Sequence, residues 1–97
     1  MLLAPEAEED LAEAYGWYER RRVGLGEEFL SCVDGCIQGC LRSPRAHALA
    51  HETYRRALVR RFPYAVFYEY DAGADTVVVH GVFHTSRDPD KWRERLS

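Results

Sequence analysis

Ninety-seven residues, 46% of them hydrophobic, suffice for one domain spanning residues 1–97 and not for two, because each half would be too small to bury a self-sufficient core. No apolar run approaches the roughly 20 residues that cross a bilayer, and Met1-Leu2-Leu3-Ala4 meets acidic residues almost at once; neither a membrane span nor a signal peptide is expected, and the protein is read as cytoplasmic. The formal net charge of −3 hides an asymmetry, since residues 1–34 carry net −6 and residues 35–97 net +3, with arginine supplying 12 of the 13 basic side chains. Arginine favours forked contact with carboxylate or phosphate, although a preference for arginine codons would give the same bias.

The sequence predicts a helix from about Pro5 to Arg22. Pro5 suits the first helical position, Glu6, Glu8, Glu9 and Asp10 crowd the positive end of the helix dipole, and Arg20, Arg21 and Arg22 crowd the negative end. Its apolar stripe is Ala7, Leu11, Ala14, Tyr15 and Tyr18, with the carboxylates expected on the opposite side. Gly24 and Gly26 bracket a turn. A second helix, about Leu25 to Leu41, stops before Arg42-Ser43-Pro44, where proline cannot continue it, and the two helices form an antiparallel hairpin. Gly35 and Gly39 each cost about 1 kcal/mol relative to alanine inside a helix, which suggests the close approach of another backbone.

Cys32, Cys36 and Cys40 stand four residues apart, in one apolar stripe with Leu25, Phe29, Val33, Ile37 and Leu41. Their odd number and helical spacing read as buried core rather than a disulfide framework; a metal site recruiting His47 and His51 lacks the two-residue knuckle spacing. No metal and no cofactor are expected.

After a loop through His47 and His51 the period changes from 3.6 to 2. Three strands follow, about Tyr54 to Phe62, Tyr64 to Tyr70 and Thr76 to His84, with Pro63 at the first corner and Asp71-Ala72-Gly73-Ala74-Asp75 as a hairpin loop. Asp88 as N-cap and Pro89 as first residue open a short terminal helix. The order gives an α+β fold: an N-terminal helical hairpin packed on a small antiparallel sheet, with a short C-terminal helix and a second sheet face left partly open.

Pro5-Glu6-Ala7-Glu8-Glu9-Asp10-Leu11, Trp17-Tyr18-Glu19 and Leu25-Gly26-Glu27-Glu28-Phe29-Leu30, followed by Ser43-Pro44, Tyr54-Arg55-Arg56, Phe62-Pro63-Tyr64, His84, Arg87-Asp88-Pro89 and Trp92, resemble in order and spacing the RelE/ParE superfamily of toxins. The resemblance covers nearly the whole chain. It implies a RelE-like fold and the toxin component of a type II toxin-antitoxin module, neutralised by a cognate antitoxin that wraps around it, as a homodimer or a toxin-antitoxin hetero-oligomer. Some members of the superfamily cut mRNA on the ribosome, and others block DNA gyrase without being nucleases. The nucleases resemble one another in carrying an arginine just after the corner tyrosine of the middle strand; here that position is Ala65, which favours a ParE-like gyrase inhibitor over a RelE-like endonuclease. An inactive toxin-like binding module is a third reading. Members also carry a first strand before the hairpin, so Met1 to Ala4 hold either a very short strand or the remainder of one that begins upstream.

If the chain is a nuclease, proton transfer and transition-state charge fall to His84, Arg61 and Arg87. His84 has an equally good reason to exist in bonding the start of the terminal helix. Arg55, Arg56, Arg60, Arg61, Tyr64 and Trp92 are the expected antitoxin- or target-binding residues, the arginines meeting acidic groups of a partner. Arg60 and Arg61, on one strand, should point to opposite faces. Tyr64, Tyr68 and Tyr70 share one side of the middle strand, where half-buried packing is a commoner role than base stacking, and Trp92 reads more readily as an anchor for the last helix than as a substrate contact.

Overall fold

The computed structural model describes residues 1–87 and 90–96; the N-cap and first-turn roles expected of Asp88 and Pro89 lie outside the described residues. The elements, in chain order, are β1 (Leu2–Leu3), α1 (Pro5–Arg21), α2 (Leu25–Arg42), β2 (Leu49–His51), β3 (Tyr54–Leu58), β4 (Tyr64–Asp71), β5 (Thr76–His84) and α3 (Lys91–Leu96). Both helices of the hairpin and the two long strands stand where periodicity puts them. The sheet has five strands in the order β1-β5-β4-β3-β2, two more than expected. β2 lies within the segment read as a loop, and Leu2–Leu3 of β1 pair parallel to β5 through Leu2–Val78 and Leu3–Val79; the sheet is therefore mixed, with antiparallel pairing from β2 to β5.

The hairpin covers one sheet face. Ala7, Ala14 and Tyr18 of α1 and Phe29, Val33, Ile37 and Cys40 of α2 pack on Val66, Tyr68, Val79 and Val82. Tyr18, Phe29, Phe62 and Tyr64 form an aromatic cluster with ring centroids 4.9–6.1 Å apart, a spacing that favours edge-to-face contact. Tyr68 is fully buried and its hydroxyl donates to the Pro44 carbonyl at 2.9 Å. Burial pushes its phenol up to about 12, with the neighbouring Cys40 adding to the effect. The middle-strand tyrosines are packing residues on the hairpin side.

The turn between the helices is held by Glu19, whose carboxylate accepts the Gly24 and Gly26 N–H groups at 3.0–3.1 Å and so satisfies donors at the start of α2. Gly24 has φ of +91°. At Gly26 an added Cβ would stand 2.7 Å from the Tyr15 ring, so this glycine marks the close approach of the hairpin. Gly35 and Gly39 do not: among the described residues, and apart from the local backbone of α2 itself, nothing lies within 4 Å of a Cβ built at Gly35, and only the Arg42 guanidinium, at 3.8 Å, does so at Gly39. Among the described residues the expected backbone neighbour is absent.

The second face is more covered than expected. α3 lies across it, with Trp92 stacked on Phe67 at 5.0 Å and Leu96 packed with Ala65, Phe67 and Phe83 in a smaller core. One carboxylate departs from the solvated face of α1. Asp10, its side chain only 7% exposed, accepts the Val82 N–H at 2.9 Å and a forked pair of bonds from Arg95 at 2.6 and 3.0 Å. That triad ties α1, β5 and α3 together, and it satisfies the strand edge that β1 is too short to cover.

Candidate functional site

The candidate residues are divided among three places. On the α1 side, Glu13, Trp17, Tyr64, His84 and Arg87 line a cleft of about 190 Å³. α1 brings Trp17 there from the turn after Ala14, β4 brings Tyr64, and the end of β5 brings His84 and Arg87. Arg87 donates to the Tyr64 hydroxyl at 2.9 Å and stands 4.7 Å over the Trp17 ring, while Arg21 stands 4.0 Å over the same ring. Two guanidiniums on one indole put positive charge beside an aromatic wall, an arrangement suited to binding anionic groups. Burial raises the Tyr18 phenol beneath the cleft, and Arg87 partly counters it.

The His84 ring is fixed through Nδ1. Its Nδ1 accepts the backbone N–H groups of Ser86 at 3.1 Å and Arg87 at 2.8 Å. A proton on Nδ1 would oppose both donors, so the hydrogen bonds assign the neutral ring a proton on Nε2. The ring shapes the turn after β5, the structural role weighed for it, and stacks edge-on to Tyr64 at 5.2 Å.

Arg60 and Arg61 stand elsewhere. β3 ends at Leu58 rather than Phe62, and Arg61 has φ of +70°. The expectation that they alternate across a strand is therefore corrected, because both sit in the turn leading to Pro63 and line one groove with α2. This groove holds about 550 Å³, with Cys32, Gly35, Cys36 and Gly39 on its helical wall and Arg42 at its rim. Arg61 is 3.7 Å from Glu28, a loose ion pair, since Glu28 is already bonded to Arg22 at 2.7 Å. Cys36 directs its thiol at the Ala57 and Leu58 carbonyls, and its hydrogen bond with Cys40, together with burial, holds it well above the ordinary thiol range. The cysteines are free, with Cys40 buried and Cys32 and Cys36 half-buried; among the described residues they do not gather with histidines into a metal-binding group.

The remaining candidates divide between structure and surface. Arg55 spends its guanidinium on the Arg45 and His47 carbonyls at 3.3 and 2.7 Å and thereby holds the loop before β2. Arg56 is exposed on the second face, lining a shallow cavity with Trp92 and Arg93 beside the buried Ala65. Tyr64 is only 6% exposed, and the Trp92 ring lies against Phe67, so a partner would meet their edges at most. Sequence reasoning missed Asp10, Trp17, Arg21, Arg42 and Arg95. For Asp10 a signal existed: it falls three residues after Ala7 and four before Ala14, on the face the period buries.

Comparison with known proteins supplies three findings. The family model for the ParE toxin of type II toxin-antitoxin system, parDE, matches residues 1–89. Among solved structures, the chain is similar to one in the RelB-RelE antitoxin-toxin complex from Methanococcus jannaschii, with a TM-score of 0.57 and 19% identity, over 95% of this chain and 99% of that one; at that identity the likeness is one of fold. No curated protein matches the sequence.

Proposed function

Because the chain belongs to the ParE toxin family of type II toxin-antitoxin systems, we propose that it arrests growth by binding DNA gyrase without cutting nucleic acid, and that a cognate antitoxin neutralises it. The observation carrying the non-nucleolytic reading is the separation of the candidate catalytic groups. Cutting RNA needs a base, an acid and a cation around one phosphate, yet Arg61 lines the α2 groove while His84 and Arg87 line the α1 cleft. The position after the corner tyrosine is a buried alanine. On this reading the protein is a binding inhibitor rather than an enzyme.

One observation favours the alternative, a ribosome-dependent mRNA endonuclease: His84, Arg87 and Tyr64 do share one cleft, with the arginine already bonded to the phenol. Purified gyrase and programmed ribosomes separate the two. The expected result is loss of DNA supercoiling at stoichiometric toxin, with the ribosome-bound message intact. Message cut in the ribosomal A site, with supercoiling unaffected, refutes the gyrase reading.

The antitoxin reading draws on the family and on the neighbour solved as an antitoxin-toxin complex. Exposed Arg56, Arg60 and Arg61 are its candidate contacts, whereas Arg55, Tyr64 and Trp92 support the fold first.

A further inference from the structure

We propose that the groove between α2 and the turn after β3 receives an acidic, extended segment of the antitoxin, with the segment's backbone over Gly35 and Gly39 and its carboxylates on Arg42, Arg60 and Arg61. The inference rests on the toxin reading above and adds to it a place and a chemistry.

Charge comes first. Three arginines and His47 line the groove, and among the described residues no carboxylate does. Arg42 and Arg60 have no hydrogen bond or ion pair among the described residues, and Arg61 has only the shared Glu28. Guanidiniums that share so little counter-charge repel one another, so a carboxylate-bearing guest relieves a repulsion as well as making forked bonds.

Shape comes second. The helical wall is built of small side chains, and the facing wall offers Leu58, 65% exposed. Glycine is among the poorest helix formers, and α2 carries two, one turn apart, at positions where its own fold would accept a Cβ. A backbone arriving from another molecule gives them a use. The groove's lining also decides the class of guest. Among the described residues no phenylalanine, tyrosine or tryptophan lines it as a stacking platform, and its one ring, the His47 imidazole, is held by Nδ1 at 3.1 Å from the Tyr68 hydroxyl; an apolar Leu58 between arginines suits a peptide alternating acidic and aliphatic residues better than a strand of phosphates.

The test uses the toxin and its purified cognate antitoxin, with affinity measured by calorimetry. Arg42→Glu/Arg60→Glu should weaken binding at least tenfold and flatten its salt dependence. Gly35→Leu/Gly39→Leu should weaken it comparably while leaving the helical circular dichroism intact, so a folding failure of the arginine variant would not shelter the idea. Unchanged affinity in both variants overturns the groove while leaving the toxin reading standing. A wild-type chain that neither arrests growth nor binds the antitoxin removes the toxin reading, and the groove with it. A labelled 12-nucleotide single-stranded RNA that binds the wild type, and loses binding in the arginine variant while the antitoxin does not, assigns the groove to nucleic acid instead.

Discussion

Asp10 shows how much one side chain can hold. Its carboxylate is buried, accepts a strand-edge N–H and takes both arms of Arg95, so removing it strands a guanidinium that is itself three-quarters covered. Breaking a buried pair from one side costs about 3 kcal/mol at the lower end of the usual range, which the residual exposure of Arg95 favours. For a domain of this size that corresponds to a fall of roughly 12–24 °C in Tm. Asp10→Ala should show it by calorimetry, and Asp10→Leu/Arg95→Met should recover much of the loss, because no charge is left unpaired. A single variant melting within 3 °C of wild type would mean the triad is ornamental. Tyr68 makes a second residue-scale prediction. Burial pushes its phenol up to about 12, above the ordinary tyrosine value near 10, so the folded state holds the proton more tightly than the unfolded one. Stability from this group is full below pH 10 and is lost as pH rises from 10 to 12. Denaturant midpoints measured at pH 8 and 11 should fall more steeply for wild type than for Tyr68→Phe; equal slopes would refute the assignment.

At the scale of elements, α2 contains glycines of opposite meaning. Gly26→Ala drives a Cβ into the Tyr15 ring, 2.7 Å away, and overpacking of this kind costs about 1–3 kcal/mol. Gly35→Ala meets nothing within 4 Å and should stabilise the helix by about 0.5–1 kcal/mol. Thermal melts of the two variants should move in opposite directions; movement in the same direction would show that the hairpin relaxes around Gly26 or that α2 is strained at Gly35. Much of this element structure was legible in the chain. α1, α2, β4 and β5 each repeat their period often enough to declare themselves, and the hairpin loop at residues 71–75 announces itself by composition. β1 and β2 did not, because two or three residues carry no period and their pairing depends on β5 and β3 being in place. β3 was overrun by four residues, since an arginine with positive φ looks like any other arginine. The candidate site was less legible: residue types were visible, but whether Arg61 stands beside His84 or across the fold is a matter of tertiary path. The close approach expected at Gly35 and Gly39 is unmet among the described residues.

At the scale of the whole molecule, net charge is a poor guide to what the surface attracts. The protein measures 42 × 27 × 22 Å, and screening at 0.1 M salt acts over about 10 Å. A partner approaching the groove therefore senses Arg42, Arg60 and Arg61 and little of the carboxylates of α1. With a formal charge of −3, the toxin treated as a point charge would repel an acidic antitoxin, and added salt would speed their association by screening that repulsion. Treated as a body with a basic face, it attracts the same partner, and added salt slows association. The two pictures thus predict opposite signs. Stopped-flow measurement from 50 to 500 mM NaCl should show the association rate falling about tenfold while dissociation barely changes, as expected where complementary patches steer encounter. A rate that rises with salt would mean that the acidic helical hairpin, rather than the arginine-lined groove, governs first contact.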